Sequence, residues 1–298
     1  MYGMHRQRCR RQIPVLHVTI AAEGEGKAVP EVPHADQIAL PEAGEPARIE
    51  TYFPDVLDKV DPDVKRPCVA IIPGGAYARV SAREAEPVAL QMVARGFAAC
   101  VISYSCAPAR YPVALVQVAG AIAYLKRHAE AFHIDSGHIF LMGFSAGAHL
   151  ALDLGCEWME PWLSGHVGAA AEEMRPCGLV LGYPVVTSGA YAHRGSFDNL
   201  CGDDEELKQK LALENRVTKD TPPAFIFHTL EDTSVPAENS LLLAEAYRHA
   251  GVSFTLHIFP YGGHGLSLGT ADTVQKGKKP QPLMQCWPDL AAAWMRTL

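Results

Sequence analysis

A serine between two glycines, an aspartate just past an apolar run and a histidine inside a glycine-rich loop follow one another in this chain as Ser145, Asp232 and His264. Together they supply what acyl transfer needs: a hydroxyl nucleophile, an acid that fixes a tautomer, and a base. Ser145 stands in "GFSAG", a G-x-S-x-G pentapeptide. The apolar run 138–142, "HIFLM", precedes it and a helix-like stretch, "AGAHLALDLG", follows. A strand, a sharp turn and a helix in that order make a nucleophile elbow, with the hydroxyl held above a sheet. Gly143 and Gly147 suit the places where such a turn presses backbones together. The helix that follows points its first amides at the same spot and favours developing negative charge there.

A serine hydroxyl is a weak nucleophile until a base takes its proton. His264, in "FPYGGHGLSLG", follows the last apolar run in a loop able to swing an imidazole over the sheet edge. Three acids lie near the preceding run: Asp220 before it, Glu231 and Asp232 after it. A strand of six residues spans about 20 Å, so Asp220 belongs at the wrong edge. Glu231 and Asp232 both follow the strand, and being adjacent they point differently. With Asp232 the order is Ser145, Asp232, His264, that of the α/β-hydrolases. The other histidines fit less well. His149 lies four residues past Ser145 and reads as a core residue. His228 and His257 read as structural strand residues, with His228 close enough to support Asp232. His128, His133 and His138 have no metal-ligand spacing. No metal or cofactor is expected. Donors for an oxyanion are expected after the run 68–72, in Pro73-Gly74-Gly75-Ala76, where the N–H groups of Gly75 and Ala76 join that of Ala146.

The elements that must position these groups are legible as periodicity. Strands are expected over 15–20, 47–53, 68–72, 98–104, 138–142, 178–183, 224–229 and 253–259, with helical patterns between most of them from Cys68 onward. Alternation of this kind implies right-handed crossovers and a mostly parallel sheet of about eight strands, covered by helices on both faces. The first two strands have no helix between them and are expected to pair antiparallel. All three candidate residues then fall just past strand carboxyl ends, where open α/β sheets hold their sites. Ser81 and Glu84 have capping-box spacing at the start of a helix ending near Gly96. Pro112, Pro236 and the "WPDLAAAWMRTL" stretch open further helices. The segment 156–176 interrupts the rhythm and suits either a cap beside the site or a long connection.

The whole chain has 298 residues, is 48% hydrophobic and carries a formal charge of −7. That charge argues against a nucleic-acid partner, which needs a basic face. No apolar stretch reaches the roughly 18 residues of a membrane span. The arginine-rich start, residues 1–14, has no apolar segment behind it and reads as a solvated tail rather than a secretory signal. Residues 15–298 read as one domain, with 21–46 as a long surface loop. Eight cysteines include no C-x-x-C pair and several lie in apolar runs, which suits a reducing cytoplasm, although sequence leaves a Cys156–Cys177 disulfide open.

With these pieces assembled, the chain resembles the bacterial acetyl-esterase branch of the α/β-hydrolases, whose members include enzymes acting on acetylated xylan and xylo-oligosaccharides. The resemblance is carried by "IIPGGAYARVSAREAEPVALQMVARGFAACVISY", "FHIDSGHIFLMGFSAGAHLA", "GYPVVTSG", the stretch 221–269 and the terminal helix, covering most of the chain from Cys68. It implies a triad of Ser145, Asp232 and His264, so it favours Asp232 over Glu231. It also implies an oxyanion loop at Gly75 and Ala76, and short acyl esters, small-molecule or oligosaccharide, as substrates. The chain departs from the pattern at Ala148, where a third glycine is common, and the basic first dozen residues have no counterpart. A serine peptidase on the same fold and a catalytically silent binding protein are the rival readings. Oligomeric state is not legible.

Overall fold

Strand residues alternate between two cores, and this alternation organises the molecule. The computed structural model describes residues 17–19, 47–57 and 59–298. The expected basic tail 1–14 and loop 21–46 lie outside the described residues.

One sheet runs through the described chain, with strands β1 His17–Thr19, β2 Arg48–Tyr52, β3 Arg66–Ile72, β4 Ala98–Ser103, β5 Ile134–Phe144, β6 Leu179–Gly182, β7 Ala224–Thr229 and β8 Phe254–Phe259. Their spatial order is β1-β2-β4-β3-β5-β6-β7-β8. The first two strands pair antiparallel, β2 pairs antiparallel with β4, and every later pair is parallel. Each expected strand is present, and β5 runs on both sides of the expected "HIFLM".

The helices are α1 Glu86–Val93, α2 Val113–Arg127, α3 Ala146–Glu157, α4 Pro161–Val167, α5 Ala171–Met174, α6 Arg194–Cys201, α7 Glu205–Lys210, α8 Glu238–Ala250 and α9 Trp287–Met295. Cys68, Ala70 and Ile72 of β3 and Ile139 and Leu141 of β5 enter a core with α2, α3 and α8. Val69, Ile71, Phe140 and Met142 enter the opposite core with α1 and α9. Burying both faces of the central strands explains their unbroken apolar runs.

One local expectation resolves differently from the sequence reading, and one alternative it left open is decided. Ser81 and Glu84 do not form a capping box: a single 3-10 turn, Ala82–Glu84, precedes α1, and the Glu84 side chain is drawn elsewhere. The segment 156–176 is a connection and not a cap. Lys126, in the last turn of α2, donates to the carbonyls of Glu172 and Arg175, and Arg127 pairs with Glu173. Cys177 then donates to the Ile139 carbonyl. Cys156 and Cys177 are both free thiols, as are the other described cysteines.

Candidate functional site

Strand β5 ends where α3 begins, and Ser145 takes the whole reversal on itself with φ 53 and ψ −120. That is the left-handed region, where Cβ and carbonyl crowd each other. The neighbours leave no alternative. A Cβ on Gly143 would lie 2.3 Å from the Gly147 carbonyl oxygen, and one on Gly147 would lie 2.1 Å from that of Ile72. The turn is pinned from β6: Ser145 donates its N–H to the Gly182 carbonyl at 3.0 Å, and Val185 donates to the Ser145 carbonyl at 3.3 Å.

The structure brings the three candidate residues into one hydrogen-bonded line. Ser145 Oγ lies 2.7 Å from His264 Nε2, and His264 Nδ1 lies 2.6 Å from Asp232 Oδ2. A carboxylate only accepts, so the imidazole proton sits on Nδ1 and Nε2 is the acceptor for the serine hydroxyl. Asp232 is itself held from behind. Its Oδ1 accepts the N–H groups of Ser234 at 3.0 Å and Val235 at 2.9 Å. His228 Nε2 stands 3.3 Å from Oδ2 while donating to the Val235 carbonyl at 2.9 Å. Burial opposes ionisation of Asp232, but the hydrogen bonds from His228 and His264 outweigh it and hold the carboxyl well below the usual carboxylate range. His228, which the sequence reads first as a structural strand residue, thus also takes the place beside Asp232 that its spacing allows.

The other acids are set apart. Glu231 Oε2 accepts the N–H of Gly262 at 2.8 Å, so it grips the backbone of the His264 loop rather than the imidazole. Asp220 precedes β7, and its carbonyl takes the indole N–H of Trp158 at 3.1 Å.

Past β3 the chain turns through Gly75, Ala76 and Tyr77 with φ of 132, 58 and 55. A Cβ on Gly74 would lie 2.9 Å from the Ser145 Cβ, so this loop rests directly on the elbow. No acceptor takes the amides of Gly75, Ala76 or Ala146 among the described residues. Three side chains whose part in the loop is not legible in the sequence keep it in its left-handed course. Asn199 Nδ2 donates to the Ala76 carbonyl at 2.9 Å. Tyr77 donates its hydroxyl to His149 Nδ1 at 2.8 Å, and His149 Nε2 donates to the Leu211 carbonyl at 2.9 Å. Burial lowers His149 to about 4, so at neutral pH it is uncharged and keeps one donor and one acceptor. The expected core position of His149 is thus correct, but its task is to anchor Tyr77. Truncating Asn199 to Ala should free the Ala76 carbonyl and lower kcat about tenfold with KM little changed. Steady-state kinetics on p-nitrophenyl acetate checks this, and an unchanged kcat removes Asn199 from the loop's support.

His193 lies over the site. Its ring is 6.4 Å from that of His264 and nearly parallel, at 16°. Nδ1 bonds the Ser196 hydroxyl at 2.8 Å. Burial, and then the neighbouring His264, lower its pKa and favour the neutral ring. Its spacing from His264 in the chain carries no signal; only the path of the loop after β6 places it there. Among the described residues no group of three or more His, Cys, Asp or Glu is gathered as a metal site.

Comparison with known proteins agrees with this architecture. The family model described as BD-FAE matches residues 55–177. The chain is 37% identical over 213 residues to the Endo-1,4-beta-xylanase B of Butyrivibrio fibrisolvens, covering 69% of this chain and 33% of that protein. It is 28% identical over 207 residues to the Acetylxylan esterase of Xylanibacter ruminicola, covering 67% of this chain and 41% of that protein. The chain thus spans between a third and a half of the length of these curated relatives. A solved structure, the acetyl ester-xyloside bifunctional hydrolase of Caldicellulosiruptor lactoaceticus, superposes with a TM-score of 0.75 at 32% identity, covering 89% of this chain and 95% of that one. With an elbow, a doubly covered sheet and that degree of shared sequence over almost all of a solved relative, the chain belongs to the esterase-type α/β-hydrolases.

Proposed function

We propose that this protein is a serine carboxylic-ester hydrolase that removes short acyl groups, acetyl above all, from small or oligosaccharide esters. The observation that carries the reading is the unbroken Ser145–His264–Asp232 line beside three amides that no acceptor takes among the described residues.

Ser145 Oγ attacks the ester carbonyl as its proton passes to His264 Nε2. The carbonyl oxygen becomes an oxyanion and accepts from the amides of Gly75, Ala76 and Ala146, each worth about 10²–10³ in rate. Asp232 keeps the imidazole oriented and stabilises its cation. When the tetrahedral species collapses, His264 returns the proton to the departing alkoxide and an acyl-serine remains. Water, deprotonated by His264, then releases the acid and restores the serine. The chain's own groups account for every proton moved.

Beside the elbow, Tyr77, His149, Val185, Ser196, Phe197 and Leu200 are all buried. Two of them are fixed to the site itself, Tyr77 next to Ala76 and Val185 through its bond to the Ser145 carbonyl. The names of the similar proteins, which include an acetylxylan esterase and an acetyl ester-xyloside hydrolase, support acetylated xylo-oligosaccharides as the natural class. Free thiols at all described cysteines support a reducing compartment, the cytoplasm.

A panel of acetyl, butyryl, octanoyl and feruloyl esters together with acetylated xylo-oligosaccharides tests the proposal. Acetyl esters should give the highest kcat/KM, because a tight wall excludes longer chains by clash whereas a roomy one gains only about 1–3 kcal/mol per methylene. Faster turnover of octanoyl than acetyl esters rejects the short-acyl reading.

A further inference from the structure

We infer that Glu84 is a positioning residue for this reaction, one carboxylate that ties the oxyanion loop and the His264 loop into a single rigid unit; the inference rests on the function proposed above. Glu84 sits in the 3-10 turn before α1 and is only 2% exposed. Its Oε2 accepts the N–H of Gly74, next to the oxyanion donors, at 2.9 Å. Its Oε1 accepts the hydroxyl of Tyr183 at 2.7 Å. The Tyr183 oxygen in turn accepts the N–H of Ser267, three residues past His264, at 2.9 Å.

The preceding residue closes the same link on the other side. The Arg83 carbonyl accepts the Ser267 hydroxyl at 2.6 Å, and Arg83 Nη1 donates to the carbonyls of Gly265 at 2.5 Å and Thr273 at 2.9 Å. The two loops held in this way are both in costly backbone conformations. Ala76 and Tyr77 on one and Ser267 on the other have φ between 55 and 58. Left-handed residues without glycine persist only where their surroundings over-determine them.

A buried carboxyl group is an expensive way to satisfy one amide, since a polar group taken out of water must be compensated by hydrogen bonds. Here two donors converge from two separate loops, and only a forked acceptor meets both. The distance between the oxyanion amides and His264 Nε2 is the quantity this fork sets. Ground-state binding of a small ester uses neither group heavily, while the transition state uses both at once. Loss of the fork should therefore appear in kcat rather than in KM.

The test is Glu84→Gln in the full chain, with hydrolysis of p-nitrophenyl acetate and inhibition by a short alkyl boronic acid as readouts. The amide keeps the size and one acceptor, but its NH₂ faces a Tyr183 oxygen that already accepts from Ser267, and the tyrosine proton is left without a partner. Expected are a kcat lower by about 10- to 100-fold, KM within about twofold, and boronate affinity weakened in step with kcat. Tyr183→Phe, which cuts only the link to the His264 loop, should lose kcat in the same way, and the double variant should lose less than the product of the two. A folded Glu84→Gln protein with kcat and boronate affinity unchanged overturns the inference, even if its Tm falls. Should Glu84→Gln not fold, unchanged kinetics in Tyr183→Phe overturn it equally. A parent protein that leaves acetate esters intact rejects the proposed function, and the inference with it; an active parent with unaffected variants rejects the inference alone.

Discussion

Ser145→Ala is expected to lower turnover by roughly 10⁶ and leave the fold unchanged, the loss seen when the nucleophile of a hydrolytic triad is removed. The substitution deletes one atom. Alanine keeps the Cβ, so the strain at φ 53 is the same in both proteins, and the backbone bonds that pin the turn to Gly182 and Val185 do not involve the side chain. His264 loses its 2.7 Å partner but keeps Asp232 at 2.6 Å and therefore its orientation. What disappears is the hydroxyl proposed to receive the acyl group, beside three amides that no acceptor takes among the described residues. Any residual hydrolysis would come from those amides acting on water's own attack. The same assignment has a covalent readout. A fluorophosphonate should label the parent on the peptide that contains Ser145 and should leave the Ala variant unmarked. An adduct on a different serine sinks the assignment whatever the kinetics show.

Much of this site could be read before any fold was known, for a physical reason. An elbow is a local device: strand, glycine, serine, glycine and helix adjoin in sequence, and the clashes at Gly143 and Gly147 arise within one turn and the neighbouring β3 end. The strands were equally legible because β3 to β7 are buried on both faces and give continuous apolar runs. What resisted reading depends on contacts between distant segments. Glu84 has the spacing of a capping residue, but its partners are Gly74 and Tyr183, ten and ninety-nine positions away. Asn199 reaches Ala76 across 123 positions, and nothing near it in sequence marks it. The segment 156–176 was ambiguous for the same reason. Only its bonds to the last turn of α2 decide that it is a connection.

The choice of acid behind His264 allows a sharper test, because the surroundings of Asp232 dictate how an amide there must lie. Asp232 Oδ1 accepts two backbone N–H groups, from Ser234 and Val235. In Asp232→Asn the side-chain oxygen has to stay with those two donors. Its NH₂ is then aimed at His264 Nδ1, where the parent has an acceptor 2.6 Å away. Two donors cannot face each other, so the imidazole moves its proton to Nε2, and that nitrogen can no longer take the proton of Ser145. The expected loss in kcat is roughly 10⁴, with the geometry intact. Glu231→Gln should cost tenfold at most, since an amide oxygen can still accept the Gly262 N–H that Glu231 Oε2 holds at 2.8 Å. Stability gives an independent check with a definite sign. Asp232 is held below the ordinary carboxylate range, so its ionised form stabilises the fold at every pH above about 4, and that contribution is lost as pH falls through the lowered native value. Between pH 5 and pH 2 the Tm of the parent should therefore drop further than that of Asp232→Asn, which has no proton to gain at this position. Equal acid sensitivity in the two proteins, or a larger fall in kcat for Glu231→Gln than for Asp232→Asn, would transfer the role away from Asp232.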